Sequence, residues 1–587
     1  MDFLAGFAVT LAFSVLVTLA AARLTRRWWQ DAPAVAICFG LLGLGLVAQL
    51  SWALCWWSGT AAEWLPWILL VGALVVLAAG PRRLSAVLFA GPVLAWVAGG
   101  SVLALFSILY GGTEAVNFQG AAQRYLSLPI DNYLQYLFAF DLRHGISTTM
   151  FTGDWNGSDR PPLQSGMILM SQGLASRWGQ GSSVPIDAPG ALGFGLGASV
   201  AAQTIWIPAV WAMTRTFGAR TRVTVVVVLV ALALPTSVVE TAFTWPKMMS
   251  AGFLVASVTM ICAFNLGRGP SVVPTFAVAA GLSLCGYLSH GGAAFLLPLL
   301  VGLGVLAVRR AGLRASARGV VVAGLGSALL YAPWWAYGHW ADPATGRLLK
   351  YHFAGVQQVD PRSVVQAIRD QYSQMSLGQV LSVRRANVDQ LFDPDLFWWR
   401  PGGMLTREAL RSRDFFSTAG SLGLGLLALV LVVAVVVLRS GLCAVRRTRP
   451  VRATPEARQI GAVIVGCLVC MVVWSLTFFS VGNAIPHQGS YAWTLMLAVL
   501  PVMVLAMRSI AVGVFLAIAQ WCYSAVVYWD PAGGSPYRRV DPPVAAALAG
   551  VVLVLAALAA VVLLSSWAPR RGGGGRRRRP LGSPGGT

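Results

Sequence analysis

The chain carries two lysines against 41 arginines, and both lysines stand beside aromatic residues. Lys247 follows Trp245-Pro246 in ETAFTWPKMMSA, and Lys350 lies in GRLLKYHFAG. A compact ammonium binds phosphate as a point charge, unlike the forked guanidinium. The pair therefore suggests phosphate contact at the level of lipid headgroups, with snorkelling at the interface as the plainer account. Two carboxylates stand out in the same way: Asp131 in LSLPIDNYLQ and Asp159 in GDWNGSDRPPLQSG. A positioned carboxylate can take the proton of an attacking hydroxyl. The plainer account makes Asp131, or its neighbour Asn132, a helix cap, and gives Asp159 an ion pair around Arg160. Pro161 and Pro162 hold their stretch extended, which fixes Asp159 and Arg160 relative to their surroundings. His290, in LSHGGAAF, stands at a Gly-Gly turn between two apolar runs, a polar position at a depth that marks functional candidates or a helix cap.

These residues must be carried by membrane helices. The 587 residues are 57% hydrophobic and 11% charged, against about 25% charged in an average soluble protein. Uninterrupted apolar runs of about 20 residues recur, each long enough to cross a hydrocarbon core. Backbone groups there must be satisfied internally, and continuous rather than alternating hydrophobicity excludes a barrel. The expected fold is an all-α polytopic membrane protein of about 15 spans: 3–22, 33–56, 65–80, 84–109, 193–213, 223–239, 248–266, 272–289, 292–308, 319–337, 418–438, 460–480, 490–507, 510–528 and 543–566. The first lacks a basic leader and a small-residue cleavage site and is read as a retained helix.

Basic clusters fix the expected orientation. Arg23–Arg27, Arg82-Arg83, Arg215–Arg222, Arg268, Arg309–Arg318, Arg439–Arg458, Arg508 and Arg570–Arg579 each follow an odd-numbered span, which puts them all in the cytoplasm and the N-terminus outside. The formal charge of +22 then divides into about +24 inside and about −2 outside. Membrane orientation thus accounts for the basicity, and no nucleic-acid partner is expected. The expected organisation is a four-helix membrane segment (1–109), a first extracytoplasmic loop with the catalytic motifs (110–192) and central membrane helices (193–337). A second extracytoplasmic loop (338–417), C-terminal membrane helices (418–567) and a disordered basic cytoplasmic tail (568–587) follow. Amphipathic helices in the loops, such as YLQYLFAFDLRHG at 133–145, are expected to lie on the outer leaflet and frame a cavity. All five histidines fall on the outer side. The cysteines lie in or beside spans, and Cys467-x-x-Cys470 reads as core packing rather than a metal or redox pair.

Taken together, LPIDNYLQ, DRPPLQSG, TWPKMMSA, LSHGGAAF and GRLLKYHFAG resemble the GT-C glycosyltransferases, and most closely the bacterial relatives of protein O-mannosyltransferases and aminoarabinose transferases. The likeness covers roughly 110–360. It departs from the family pattern in that Asp131 stands beside Asn132 instead of a second acid, four spans precede its loop, and there is no large soluble C-terminal domain. The resemblance implies a sugar donor linked to polyprenyl phosphate, chemistry at the extracytoplasmic face and a loop aspartate that deprotonates or orients the acceptor, as in a mannosyl- or arabinosyltransferase of the cell envelope. The expected catalytic residues are Asp131 and Asp159. Lys247, Arg160, Lys350 and His290 are assigned to the donor phosphate, and Asn132, Gln135, Trp245 and His352 to acceptor or sugar. The acceptor would be a glycan, a peptide or a lipid. A divalent cation, Mg or Mn, bridging Asp131, Asp159 and phosphate is a further reading. The alternatives are a transporter or flippase of lipid-linked sugars, and a polysaccharide polymerase or ligase using a diphosphate-linked donor, for which Arg384-Arg385, Arg407, Arg411 and Arg413 speak.

Overall fold

The structure, a computed structural model, describes residues 2–29, 32–79, 82–111, 118, 130–151, 153, 155–175, 189–343, 345–392, 407–445, 453–479 and 489–529. The expected span 543–566, the tail 568–587 and His487 lie outside the described residues.

No strand occurs among the described residues, and twelve helices are long and apolar enough to cross a membrane. They run Asp2–Leu24, Ala36–Trp57, Gly59–Ala78, Gly91–Ile108, Gly190–Thr216, Lys247–Asn265, Val272–Ser289, Gly291–Ala311, Leu313–Ala341, Pro455–Thr477, Tyr491–Arg508 and Ile510–Tyr528. The protein is an all-α, multi-pass membrane protein. A further apolar helix, Leu424–Ser440, is shorter.

The segment expected as one span over 223–239 is broken. Thr221–Ala233 and Pro235–Phe243 meet at 59°. Proline cannot donate to the preceding turn and drives its predecessor out of the helical region; Leu234 is extended, at φ −62° and ψ 140°. The Ala233 carbonyl freed by the break accepts a hydrogen bond from Gln520 Nε2 at 2.9 Å. A polar side chain from a neighbouring helix thus satisfies a backbone group that lipid could not.

The first long connection also differs from the surface helices expected there. Leu134–His144 is amphipathic and ends on Gly145 in the left-handed conformation. Leu163–Ala175, directly after the double proline, is buried on all sides except at Gln172. It runs inside the bundle, where a Cβ on Gly166 would stand 2.0 Å from the Ala48 carbonyl oxygen. Only glycine permits so close a crossing, and small residues are the usual means of helix contact in membranes. Thr10 and Ser171 hydroxyls meet at 2.6 Å across the adjoining contact with the first helix.

Contacts join residues that the sequence places on one face. Arg23 donates to the Leu77 carbonyl at 2.5 Å. Arg268 donates to the Thr216 carbonyl at 2.9 Å and pairs with Glu456, and Arg310 donates to the Asn265 carbonyl at 2.6 Å. The candidate residues gather at other helix ends: the start of Lys247–Asn265, the start of Tyr491–Arg508 and the break at His290.

Candidate functional site

A turn at 244–247 organises the site. Thr244 closes the Pro235–Phe243 helix at φ 64°, a left-handed conformation that is uncommon for a β-branched residue. Local bonds hold it there. The Thr244 carbonyl accepts from Gln164 Nε2 at 3.0 Å, and its hydroxyl donates to the Asn132 carbonyl at 3.3 Å. Gln203 Nε2 donates to Gln164 Oε1 at 2.6 Å, while Gln203 Oε1 accepts from the Met248 and Met249 amides at 3.0 Å each. The unpaired amides at the start of the Lys247–Asn265 helix are thereby satisfied by a side chain from another helix. This buried network fixes where Trp245 and Lys247 stand.

Trp245 points its indole N–H at Asp131 Oδ1, 2.9 Å away. Asp131 lies on a short 3-10 turn, Ile130–Tyr133. It does not cap the helix that follows, which has Tyr133 at its N-cap and no side-chain cap. Its second oxygen faces Arg160 Nη2 at 3.7 Å, a loose pair with both side chains partly accessible. Burial pushes the Asp131 carboxyl above the ordinary aspartate range, with Arg160, Lys247 and the Trp245 indole pulling it back.

Lys247 is buried, and its ammonium lies 3.6 Å from the centroid of the Trp245 ring and 5.8 Å from that of Tyr491. Nζ has no hydrogen-bond partner. Its neighbours by charge are Glu240, Asp131 and Arg160. Glu240 is fully buried, accepts from the Tyr491 hydroxyl at 2.8 Å and leaves Oε2 without a partner. Neither Glu240 nor Tyr491 is among the expected site residues. The signal for Glu240 was a lone acid in the apolar run ALPTSVVETAF; Tyr491 left none.

The remaining candidates divide. Burial works against the Arg160 charge, with Asp131 and Asp159 offsetting it, and its Nε has no partner. His290 Nδ1 accepts from the Gly292 amide at 3.1 Å, so it caps the turn and its ring proton is directed to Nε2. The charges of Lys247 and Arg160 still reach His290. His352 belongs to the Arg347–Ala354 helix; burial lowers its pKa to about 3, Arg160 and Lys247 add to the effect, and Nδ1 is unpartnered. Both rings are therefore neutral at pH 7.

Asp159 and Lys350 have local bonds. Asp159 Oδ2 accepts from the Asn156 amide at 3.0 Å and from Thr345 Oγ1 at 3.4 Å, which ties the first connection to the second. Burial raises its pKa, and the Asn156 amide and Arg160 oppose the rise. Lys350 Nζ donates to the Asp360 carbonyl at 2.6 Å. Asn132 Nδ2 donates to the Phe118 carbonyl at 3.1 Å, and Gln135 Oε1 accepts from Ser165 Oγ at 2.8 Å, so both amides brace the scaffold. Among the described residues no group of three or more His, Cys, Asp or Glu side chains comes together to hold a metal ion, and Arg160 carries the charge that faces both Asp131 and Asp159. Three of the second-connection arginines also have partners: Arg384 donates to the Phe478 carbonyl, Arg411 to the Val527 carbonyl and Arg413 to Asp414.

Fold and site together define a polytopic helical membrane protein with a cluster of charged side chains, Lys247 and Arg160 among Asp131, Asp159 and Glu240, at one end of its bundle. No family model, curated protein or solved structure matches the chain.

Proposed function

We propose that the protein is an integral membrane glycosyltransferase that moves a sugar from a polyprenyl-phosphate donor to a hydroxyl acceptor at the extracytoplasmic face. The observation that carries this reading is a partly accessible carboxylate, Asp131, held within Coulombic reach of a buried ammonium, Lys247, that has no hydrogen-bond partner. A base beside a waiting cation is the pair that displacement of a phosphate leaving group requires.

The acceptor O–H gives its proton to Asp131 as its oxygen bonds to the anomeric carbon. The bond from that carbon to the phosphate oxygen breaks, and the lipid phosphate leaves with the electron pair. A single displacement inverts the configuration. Lys247 and Arg160 stabilise the departing oxygens, and His290 Nε2–H adds a neutral donor. Trp245 orients the Asp131 carboxylate and offers its face to Lys247. Asp159 holds the loop that carries Arg160.

Charge balance favours a monophosphate over a diphosphate donor. Two cations, Lys247 and Arg160, face three acids, Asp131, Asp159 and Glu240, and the two imidazoles are neutral, so the cluster holds no surplus of positive charge and suits one added negative charge better than two. The polymerase reading drew on arginines, three of which are already bonded to carbonyls or to Asp414. The positive-inside rule places the site outside, opposite the arginine-rich ends.

The test is transfer from a labelled polyprenyl-phosphate pentose or hexose by the purified protein in lipid nanodiscs. Donor consumption by the wild type and its loss in Asp131→Asn support the reading. Consumption unchanged in Asp131→Asn overturns the assignment of the base.

A further inference from the structure

The Leu377–Phe392 helix, in the second connection, buries the polar Asn387 and leaves four large apolar side chains exposed. Its inward face sets polar side chains beside the buried Leu391. Asn387 is fully buried and donates through Nδ2 to the Ser475 carbonyl at 2.8 Å and the Phe478 carbonyl at 2.9 Å. Arg384 donates to the same Phe478 carbonyl and to the Tyr372 hydroxyl. An apolar stripe is exposed beside polar residues: Leu377, Leu381, Val388 and Phe392 are 74%, 59%, 43% and 52% exposed, and Gln379, Ser382, Arg385 and Asp389 are exposed as well. The apolar spacing of four, seven and four residues puts those four on one stripe. Arg385, exposed on the same side, pairs with Asp389 at 3.8 Å.

The depth of this stripe follows from what the inward face binds. Ser475 and Phe478 close the membrane helix Pro455–Thr477, whose last carbonyls have no partner within the helix. Water cannot satisfy such groups in hydrocarbon; Asn387 and Arg384 do so. The helix therefore packs at the level of that terminal turn. The same Pro455–Thr477 helix exposes Val465, Leu468, Val469, Val472 and Leu476. Exposed Trp335 and Trp340 end the Leu313–Ala341 span. The chain from that end folds back at His352, whose carbonyl accepts from the Phe479 amide at 2.9 Å, so both spans finish at one end of the bundle. Exposed tryptophans at a span end mark the interface with headgroups.

We propose that Leu377–Phe392 is an interfacial helix whose Leu377–Leu381–Val388–Phe392 stripe is immersed in the lipid leaflet, extending the lipid-facing surface of Pro455–Thr477 sideways at the end of the bundle. The occupant of the exposed face is the lipid leaflet. Arg385 reaches from the stripe toward the headgroups along its aliphatic stem. The second connection is thus held to the membrane along a helix and is no free loop.

Nitroxide labels test this in nanodiscs of defined phospholipid, on a full-length background with Cys522→Ser and Cys443→Ser. Labels go at Leu381→Cys and Val388→Cys, with Val472→Cys on the Pro455–Thr477 helix as the lipid-facing reference. The expected result is a ratio of oxygen to nickel-chelate accessibility at 381 and 388 that matches the ratio at 472. High nickel-chelate accessibility at both sites places the stripe in water and overturns the proposal. Low accessibility to both reagents means protein covers the stripe, a second copy or another chain, and also overturns it. Should one labelled variant fail to assemble, the other site gives the same reading.

Discussion

Lys247→Met separates the two duties of the buried ammonium. The substitution keeps an unbranched stem against Trp245 and Tyr491 and removes the charge. Nζ has no hydrogen-bond partner, so a phosphate oxygen arriving there gains a charge-assisted bond without displacing another. Such a bond is worth about 1.5–3 kcal/mol, which corresponds to a loss in kcat/KM for the donor of roughly ten- to a hundredfold. The substitution also leaves Glu240 buried without its nearest cation. Breaking a buried ion pair in contact costs about 3–5 kcal/mol; Glu240 and Lys247 interact through space without such a contact, so the cost here is below about 3 kcal/mol. Glu240→Gln removes that residual charge and keeps an acceptor for the Tyr491 hydroxyl. The single variant is expected to lose both donor use and thermal midpoint. The double variant Lys247→Met/Glu240→Gln is expected to regain the midpoint and not the activity. Donor kinetics in nanodiscs and fluorescence-detected size exclusion after heating read the two quantities. Wild-type donor use in the double variant would refute phosphate contact at Lys247.

The other expectations concern the carboxylates and the bundle. Asp131→Asn should lower kcat about 10²–10⁴-fold with a small change in donor KM, as for loss of a general base. Because burial raises the Asp131 pKa, its basic form is lost as pH falls through that raised value. The acid limb of kcat/KM should lie above the ordinary aspartate range and move higher in Arg160→Gln, which removes the largest opposing influence; a pH–rate profile checks both. Asp159→Asn should keep turnover within about tenfold while lowering the thermal midpoint, since it loosens the bonds to Asn156 and Thr345, each worth about 1 kcal/mol. Gly166→Ala should lower yield and midpoint, because its Cβ would stand 2.0 Å from the Ala48 carbonyl oxygen and overpacking costs about 1–3 kcal/mol or more.

Hydrophobic length made most of this fold legible. The runs at 3–22, 272–289 and 460–480 fall on the helices Asp2–Leu24, Val272–Ser289 and Pro455–Thr477, because in lipid a long apolar run has no other way to satisfy its backbone. Length failed where tertiary packing took over. LQSGMILMSQGLA is too short to span and stood within a polar connection, so nothing in its hydropathy announced a helix sunk in the bundle. Its small residues, Ser165, Gly166, Ser171 and Gly173, are the trace of that packing. Pro235 could have announced the break at 234, since proline excludes its predecessor from helix. The site was legible by residue type and obscure in its pairings. Two lone lysines and two lone aspartates were conspicuous, yet nothing in the chain tells that Asp131 meets Trp245 from 114 positions away or that Lys350 turns to the Asp360 carbonyl. Such assignments depend on three-dimensional geometry, which composition does not carry.

The bonds between the two long connections limit how the protein can be re-engineered. Asp342 accepts from Thr148 Oγ1 at 3.0 Å and from the Ser158 amide at 3.1 Å, Thr148 also bonds the Tyr337 hydroxyl, and Asn156 Nδ2 donates to the Pro343 carbonyl at 3.1 Å. A graft that imports either segment alone from another protein would strand these groups in a dry seam. Chimeras should therefore exchange 148–160 and 337–345 as one cassette.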